Sequence, residues 1–281
     1  MSETDNSRRT FLALAAAAAP LAAAGSAAAQ TAQQRPRPRS GASRAAIVTG
    51  SSRGIGAAIA KRLARDGFAV TVNCLVNRDL AAQVVRDIEG TGGRAIWRQA
   101  DVADPAAVRA LFAANEEAFG GVEVVVSNAG IMNVAPFAAM TDDAFDRMIA
   151  TNLKGSFNVL REAARRTRDG GRIIALASTA ITQKRPTHGP YAATKSAQEM
   201  FCGSLAKELA GRRISVNAVA PGPTNTSLFQ APPPVRQMAV DATPYGRIGE
   251  PEDVANAIAA LCGADGEWIN GQLVYANGGF F

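Results

Sequence analysis

The sequence predicts an α/β fold, a single doubly wound parallel sheet with helices on both faces. Three observations point there. From residue 44 onward short apolar runs alternate with helix-period segments, a glycine-rich turn follows the first run, and no second domain boundary breaks the alternation. The first strand is Ala45-Ala46-Ile47-Val48, apolar throughout as a strand covered on both faces must be. Later strands are predicted at residues 68–73, 94–99, 122–127, 172–177, 214–219 and 268–275. Helices are predicted at 57–65, 79–89, 105–119, 142–166, 190–210 and 251–261.

The turn between the first strand and first helix is Thr49-Gly50-Ser51-Ser52-Arg53-Gly54-Ile55-Gly56. Gly50 permits a turn that a Cβ would obstruct, Gly54 lets backbone N–H groups approach a pyrophosphate, and Gly56 lets the helix pack closely on its strand. The helix N-terminus then faces the phosphates with its partial positive charge. A strand, a glycine turn and a helix in this order form a dinucleotide cradle.

Residues 1–29 read as an export signal. Arg8-Arg9 precede an alanine-rich, uncharged run over residues 11–24, and Ala27-Ala28-Ala29 offers small residues to a signal peptidase, the pattern of twin-arginine export to the periplasm. The run is too short and too weakly apolar to span a bilayer, so no membrane partner is expected. Cytoplasmic residence is the alternative. Residues 30–43, with Pro36 and Pro38 between arginines, read as an extended linker to a domain at 44–281.

The net charge of +6 suits an anionic ligand, but the basic residues are scattered without interleaved aromatics, so a nucleic-acid surface is not indicated. Cys74, Cys202 and Cys262 are far apart and lack CxxC spacing, which argues for buried thiols and against a metal site or disulfide framework. His188 is the only histidine, which removes histidine clusters from consideration and leaves it a loop hydrogen bond near the mouth of the site.

Tyr191-Ala192-Ala193-Thr194-Lys195 places a phenol and an ammonium four positions apart, on one helical face. A tyrosine with a pKa near 10 is a poor acid or base at neutral pH and needs a nearby cation. A unit charge about 4 Å away, at an effective dielectric of about 20, is worth roughly 4 kcal/mol, or about three pKa units before burial opposes it. Ser178, ending the fifth strand, can hydrogen-bond a substrate oxygen and orient it toward Tyr191.

With the glycine turn, Asn128-Ala129-Gly130, Asn152, Ser178, Tyr191, Lys195 and Pro221-Gly222-Pro223-Thr224-Asn225-Thr226 in this order, the chain resembles the short-chain dehydrogenase/reductase family, and its 3-oxoacyl-carrier-protein-reductase-like branch most. The resemblance spans nearly all of residues 44–281 and implies a Rossmann fold and a secondary alcohol–ketone oxidoreductase. It implies that Tyr191 is the general acid/base, that Ser178 orients the substrate, that Lys195 also bonds the nicotinamide ribose, and that Asn152 holds a water completing a proton relay to the lysine. The implied dinucleotide contacts are Gly50, Ser52, Arg53, Gly54, Ile55 and Gly56, then Asn73, Cys74, Asp101 and Val102. Asn128, Ala129 and Gly130, Tyr191 and Lys195, and Pro221, Gly222, Thr224 and Thr226 complete the set.

The stretch after Thr226, with Pro232-Pro233-Pro234, has the length of a substrate lid. Cys74 stands where a carboxylate would select NAD by binding both ribose hydroxyls, so nothing repels a 2′-phosphate; Arg53 and Arg78 could pair with one. NADP is therefore the expected cofactor and NAD the alternative. The family habit implies a homotetramer through residues 190–210 and 270–281. A non-catalytic dinucleotide sensor on the same fold is the rival from another class.

Overall fold

The computed structural model describes residues 44–281. The expected signal at 1–29 and linker at 30–43 lie outside the described residues. Seven parallel strands form one sheet: β1 (Ala45–Val48), β2 (Ala69–Cys74), β3 (Arg94–Gln99), β4 (Val122–Ser127), β5 (Thr167–Leu176), β6 (Ser215–Pro221) and β7 (Leu273–Ala276). Their order is β3-β2-β1-β4-β5-β6-β7, so the winding reverses between β1 and β4. That reversal opens a crevice at the carboxyl ends of both strands, the place where doubly wound sheets bind ligands.

Helices α1 (Gly54–Arg65), α2 (Arg78–Glu89) and α3 (Pro105–Phe119) precede α4 (Asp142–Met148), α5 (Gly155–Arg166), α6 (Ala180–Gln183), α7 (Gly189–Glu208), α8 (Pro233–Asp241) and α9 (Pro251–Cys262). One apolar core packs α1, α2 and α9 on one face of the sheet, around Ile59, Leu63, Ile88 and Ile258. The other packs α3, α5 and α7, around Leu111, Phe112, Val159 and Ile214. Alternate residues of β1 divide between them, Ala46 and Val48 to the first and Ile47 to the second, as the period of a strand requires. The three cysteines are free and buried.

Four boundaries depart from the sequence reading. The helix expected over 142–166 is broken by a π-helical turn, Ile149–Lys154, between α4 and α5; hydrophobic period does not register the one-residue change in hydrogen-bond spacing that a π turn introduces. β5 starts at Thr167 rather than 172, with a register shift against β4 between Val122 and Val124. β7 starts at Leu273, because a 3₁₀ turn at Ala264–Gly266 and the Trp268–Asn270 segment precede it. The lid segment, for which the sequence predicts no helix, contains α8, which begins at Pro233: the proline run supplies the fixed φ favoured in a helix's first turn.

Candidate active site

The glycine turn leaves β1 and reaches α1 through close backbone approaches. Gly50 has φ +61°, and a Cβ there would lie 2.8 Å from the Ala129 Cα. At Gly56 a Cβ would come within 2.5 Å of the Gly50 carbonyl and 2.6 Å of the Asn128 amide. Neutral side chains hold the turn open. Asn128 Nδ2 donates to the carbonyls of Thr49 (2.8 Å) and Gly50 (3.0 Å), and Thr49 Oγ1 accepts from the Asn128 and Ala129 N–H groups. Asn73 Oδ1 accepts from the Gly50 N–H at 3.0 Å, while its Nδ2 donates to the carbonyls of Cys74, Arg98 and Ala100. The first turn of α1 carries no acidic side chain, so its positive end is unopposed. A cradle that a Cβ would fill, beside an unopposed helix N-terminus, fits a dinucleotide pyrophosphate.

The structure divides the expected dinucleotide contacts. Asn73 is buried and its side chain is spent on the protein, bracing the turn. Asp101 Oδ1 accepts from the Ala103 N–H at 2.9 Å, which fixes the loop after β3. Val102 is buried, and a Cβ at Gly155 would lie 2.6 Å from its Cγ2. Cys74 is 2% exposed. Burial pushes its thiol up, and the nearby Arg78 guanidinium opposes the shift. Arg53 is exposed at the turn, and neither it nor Arg78 is held in an ion pair among the described residues.

A cavity of about 360 Å³ opens beside this turn and is lined by Ile55, Asn128, Gly130, Ser178, Tyr191, Lys195, Pro221, Gly222, Thr224 and Thr226. Ser178, just beyond β5, accepts from the Ala180 N–H at 3.2 Å and hydrogen-bonds the Tyr191 phenol. Tyr191 and Lys195 stand one turn apart on α7 and reach the same cavity, with Lys195 Nζ 5.9 Å from the phenol ring centroid. Tyr191 is 6% exposed, and burial raises its pKa; the Ser178 hydrogen bond opposes the rise. This is opposite to the direction expected from the ammonium, because burial of the phenol dominates; Lys195 gives its donors to the Leu176 carbonyl at 2.5 Å and to Gln198 Oε1 at 3.1 Å. Burial lowers Lys195 itself to about 8.

Asn152 lies in the π turn, wholly buried. Its Oδ1 accepts from the Ile131 N–H (2.8 Å), and its Nδ2 donates to the Ile131 carbonyl (2.8 Å) and to Thr194 Oγ1 (3.2 Å). These bonds tie the loop after β4 to α7 and so set where Tyr191 and Lys195 stand. The backbone carbonyl of Asn152 accepts from Gln198 Nε2 at 2.8 Å. Gln198 and Thr194 are not among the residues the sequence marks for the site. The signal available for Gln198 was its place three positions after Lys195, on the same helical face.

Past β6, the Gly222 N–H donates to the Ala276 carbonyl, and Thr224 Oγ1 donates to the Gly222 carbonyl at 2.9 Å. Thr226 abuts the glycine turn: its Cγ2 would touch a Cβ at Gly54 at 3.5 Å. Met132, Val134, Leu228, Phe229 and Val235 give the cavity apolar walls. Phe229 packs on the Ala239, Ile248 and Phe280 cluster, which ties the lid segment to the chain's end. His188 lines the mouth, its Nδ1 within 3.0 Å of the Pro186 carbonyl and 3.2 Å of Thr187 Oγ1. Among the described residues no cluster of His, Cys, Asp or Glu could hold a metal ion, and no helix is long and apolar enough to cross a membrane.

A phosphate cradle and a Ser–Tyr–Lys cluster sharing one crevice of a Rossmann-type sheet define a nicotinamide-dependent oxidoreductase. A family profile described as "Enoyl-(Acyl carrier protein) reductase" matches residues 50–281. The chain is 42% identical over 248 residues to a short-chain type dehydrogenase/reductase of Picea abies, covering 84% of this chain and 92% of the relative. It is also 42% identical over 264 residues to an NADPH-dependent aldehyde reductase-like chloroplastic protein of Arabidopsis thaliana, covering 88% and 97%. A crystal structure of a short chain dehydrogenase from Burkholderia cenocepacia in complex with NADP superposes with a TM-score of 0.81 at 38% identity, covering 84% of this chain and 97% of that one. The chain belongs to the short-chain dehydrogenase/reductase family, whose members are NAD(P)-dependent oxidoreductases.

Proposed function

We propose that the protein interconverts a secondary alcohol and a ketone with NADP as cofactor. The observation that carries this reading is that Ser178, Tyr191 and Lys195 line one apolar cavity, with the Ser178 hydroxyl near enough to the phenol to oppose the rise of its pKa. Two hydroxyls side by side can converge on one substrate oxygen, which suits proton exchange at a carbonyl or alcohol oxygen.

The bound cofactor supplies or accepts the hydride. In the reductive direction Ser178 donates a hydrogen bond that fixes the carbonyl oxygen, and Tyr191 Oη gives that oxygen its proton. Burial keeps the phenol protonated at neutral pH, which is the form a proton donor needs. Lys195 supplies positive charge to the tyrosinate that remains. The cavity's apolar walls exclude water and favour a substrate that is apolar around its reacting oxygen. In oxidation the same groups act in reverse.

NADP is supported by the absence of a carboxylate at the end of β2, by the uncommitted guanidinium groups of Arg53 and Arg78, and by the NADP bound in the Burkholderia relative. An angucycline C-6 ketoreductase at 37% identity and TM-score 0.80 was likewise solved with NADP bound. The expected homotetramer is supported by large apolar side chains left open on the segments named for it and near them: Met200 on α7, Phe157 on α5 and Phe281. Twin-arginine export rests on residues 1–29 alone. N-terminal sequencing of protein from a periplasmic extract tests it, and an intact Met1 confined to the cytosol rejects it.

Turnover of a panel of ketones and secondary alcohols with NADPH, NADH and their oxidised forms tests the reading. The expected result is turnover that prefers NADP(H) and vanishes in Tyr191→Phe while the cofactor still binds. Cofactor binding without turnover of any panel member by the natural protein would favour the sensor instead.

A further inference from the structure

We infer that Gln198 is a positioning residue for Lys195: its side-chain amide bridges the ammonium to the Asn152 backbone carbonyl and sets how firmly the catalytic cation is held beside Tyr191. The inference rests on the oxidoreductase reading above but concerns a residue that reading does not use.

Gln198 is wholly buried, one turn past Lys195 on α7. Its Oε1 accepts from Lys195 Nζ at 3.1 Å, and its Nε2 donates to the Asn152 carbonyl at 2.8 Å and to Ser156 Oγ at 2.6 Å. Chemistry fixes which way the amide faces. An ammonium only donates and a carbonyl only accepts, so a flipped amide would oppose donor to donor and acceptor to acceptor. A buried polar side chain with both ends satisfied is rigid, and its displacement would leave several groups unpaired at once. Lys195 has three donors. Leu176 and Gln198 take two, which leaves one N–H for a ligand in the crevice.

The resemblance implies a water on Asn152 that relays protons toward the lysine, and Gln198 Nε2 takes one of the two acceptor positions of the Asn152 carbonyl. An amide surrenders no proton at ordinary pH, so the path from Lys195 through Gln198 orients charge and conducts nothing.

Gln198 is also positioned to tune the lysine. Tyr191 on the same helix is the titratable group nearest Lys195 in the cavity wall. Facing Lys195 from other elements are the neutral Leu176 carbonyl of β5, Gly130 after β4, and Asn152 in the π turn. The charged groups on packed elements include Asp142, Asp143, Asp146 and Arg147 on α4, Lys154 in the π turn, Arg161, Glu162, Arg165 and Arg166 on α5, and Arg168, Asp169 and Arg172 on β5; burial is what displaces the lysine's titration. The Gln198 oxygen and the Leu176 carbonyl are the two acceptors that partner the buried ammonium, and Gln198 is the one a side-chain substitution can change.

Two substitutions test this in opposite directions. Gln198→Glu keeps the size and puts a carboxylate against Nζ; Gln198→Met keeps most of the volume and removes the acceptor. In the reductive direction the alkaline limb of kcat/KM is expected to move up by about one pH unit in Gln198→Glu and down by about one in Gln198→Met, the size of a hydrogen bond to a charged group. NMR titration of ¹³Cε-labelled lysine, with Lys195 assigned from Lys195→Met, should show the same two shifts whether or not a substrate has been found. If Gln198→Met does not fold, the upward shift in Gln198→Glu decides alone. A lysine titration and alkaline limb that stay put in the folded variants, with only the melting temperature changed, would overturn the inference. Shifted titrations without turnover of any carbonyl would support Gln198 and reject the alcohol–ketone reading.

Discussion

Two buried polar networks sit a few residues apart at the carboxyl end of the sheet, and they differ in one respect. Around the glycine turn, Thr49, Ser51, Asn73 and Asn128 bond backbone groups, and none of them titrates. Around α7, Asn152, Thr194 and Gln198 surround Tyr191 and Lys195, two buried groups whose proton affinities burial moves in opposite directions. The first network holds a shape. The second holds charge that changes during a reaction, and buried charge is unfavourable unless it is partnered. The comparison teaches that equal burial and similar residue types serve different ends, and that pH dependence separates them.

The largest expected effect falls in the titrating network. Tyr191→Phe should lower kcat by roughly 10²–10⁴-fold, the usual contribution of a positioned acid or base, while cofactor affinity measured by fluorescence titration changes little. A comparable loss of cofactor binding would mean that the two networks are not separable.

In the shape-holding network, Gly56→Val forces a side chain into the Gly50 carbonyl and the Asn128 amide. Overpacking of this kind costs about 1–3 kcal/mol, and a distorted cradle should weaken NADP binding tenfold or more with no change in the pH profile. Asn73→Leu should cost about 1–3 kcal/mol of unfolding free energy in urea titrations, because the Gly50 N–H and the Ala100 carbonyl lose a buried partner. That loss should be the same at pH 7 and pH 9.

Lys195→Met sharpens the contrast. An unfolded lysine keeps its proton up to its model value of 10.5, whereas the folded one releases it near 8. Between those values the unfolded chain binds more protons, so this residue makes stability rise with pH from about 8 to 10.5, and below 8 its ammonium is a net burden on folding. Tyr191, whose folded pKa is raised above 10, acts the other way only above pH 10. Lys195→Met should therefore be more stable than the natural protein at pH 7, inactive, and flatter in its melting temperature across pH 8–10. A variant that is less stable at pH 7 would show that packing of the lysine stem outweighs the burial of its charge.

The smallest effects are expected at the exposed rim. Arg53→Ala and Arg78→Ala should each weaken NADP binding severalfold and leave NAD nearly unchanged, because surface charge contacts to a 2′-phosphate are partly screened. Equal weakening of both cofactors would place these arginines elsewhere on the dinucleotide.

Much of this was legible in one dimension, for a reason that particular residues make plain. Strand alternation, the glycine spacing of Gly50, Gly54 and Gly56, and the four-residue interval between Tyr191 and Lys195 are local properties, set by the geometry of a single element. Tertiary structure decided what each group touches across elements. It turned Lys195 toward Leu176, set Gln198 against the Asn152 carbonyl, spent Asn73 on the turn that Gly50 opens, placed Asn152 in a π turn no hydrophobic period encodes, and drew Leu228 and Phe229 over the cavity. Neighbours within a helix follow from counting, but partners on different elements exist only after burial has chosen which face of each element meets the next.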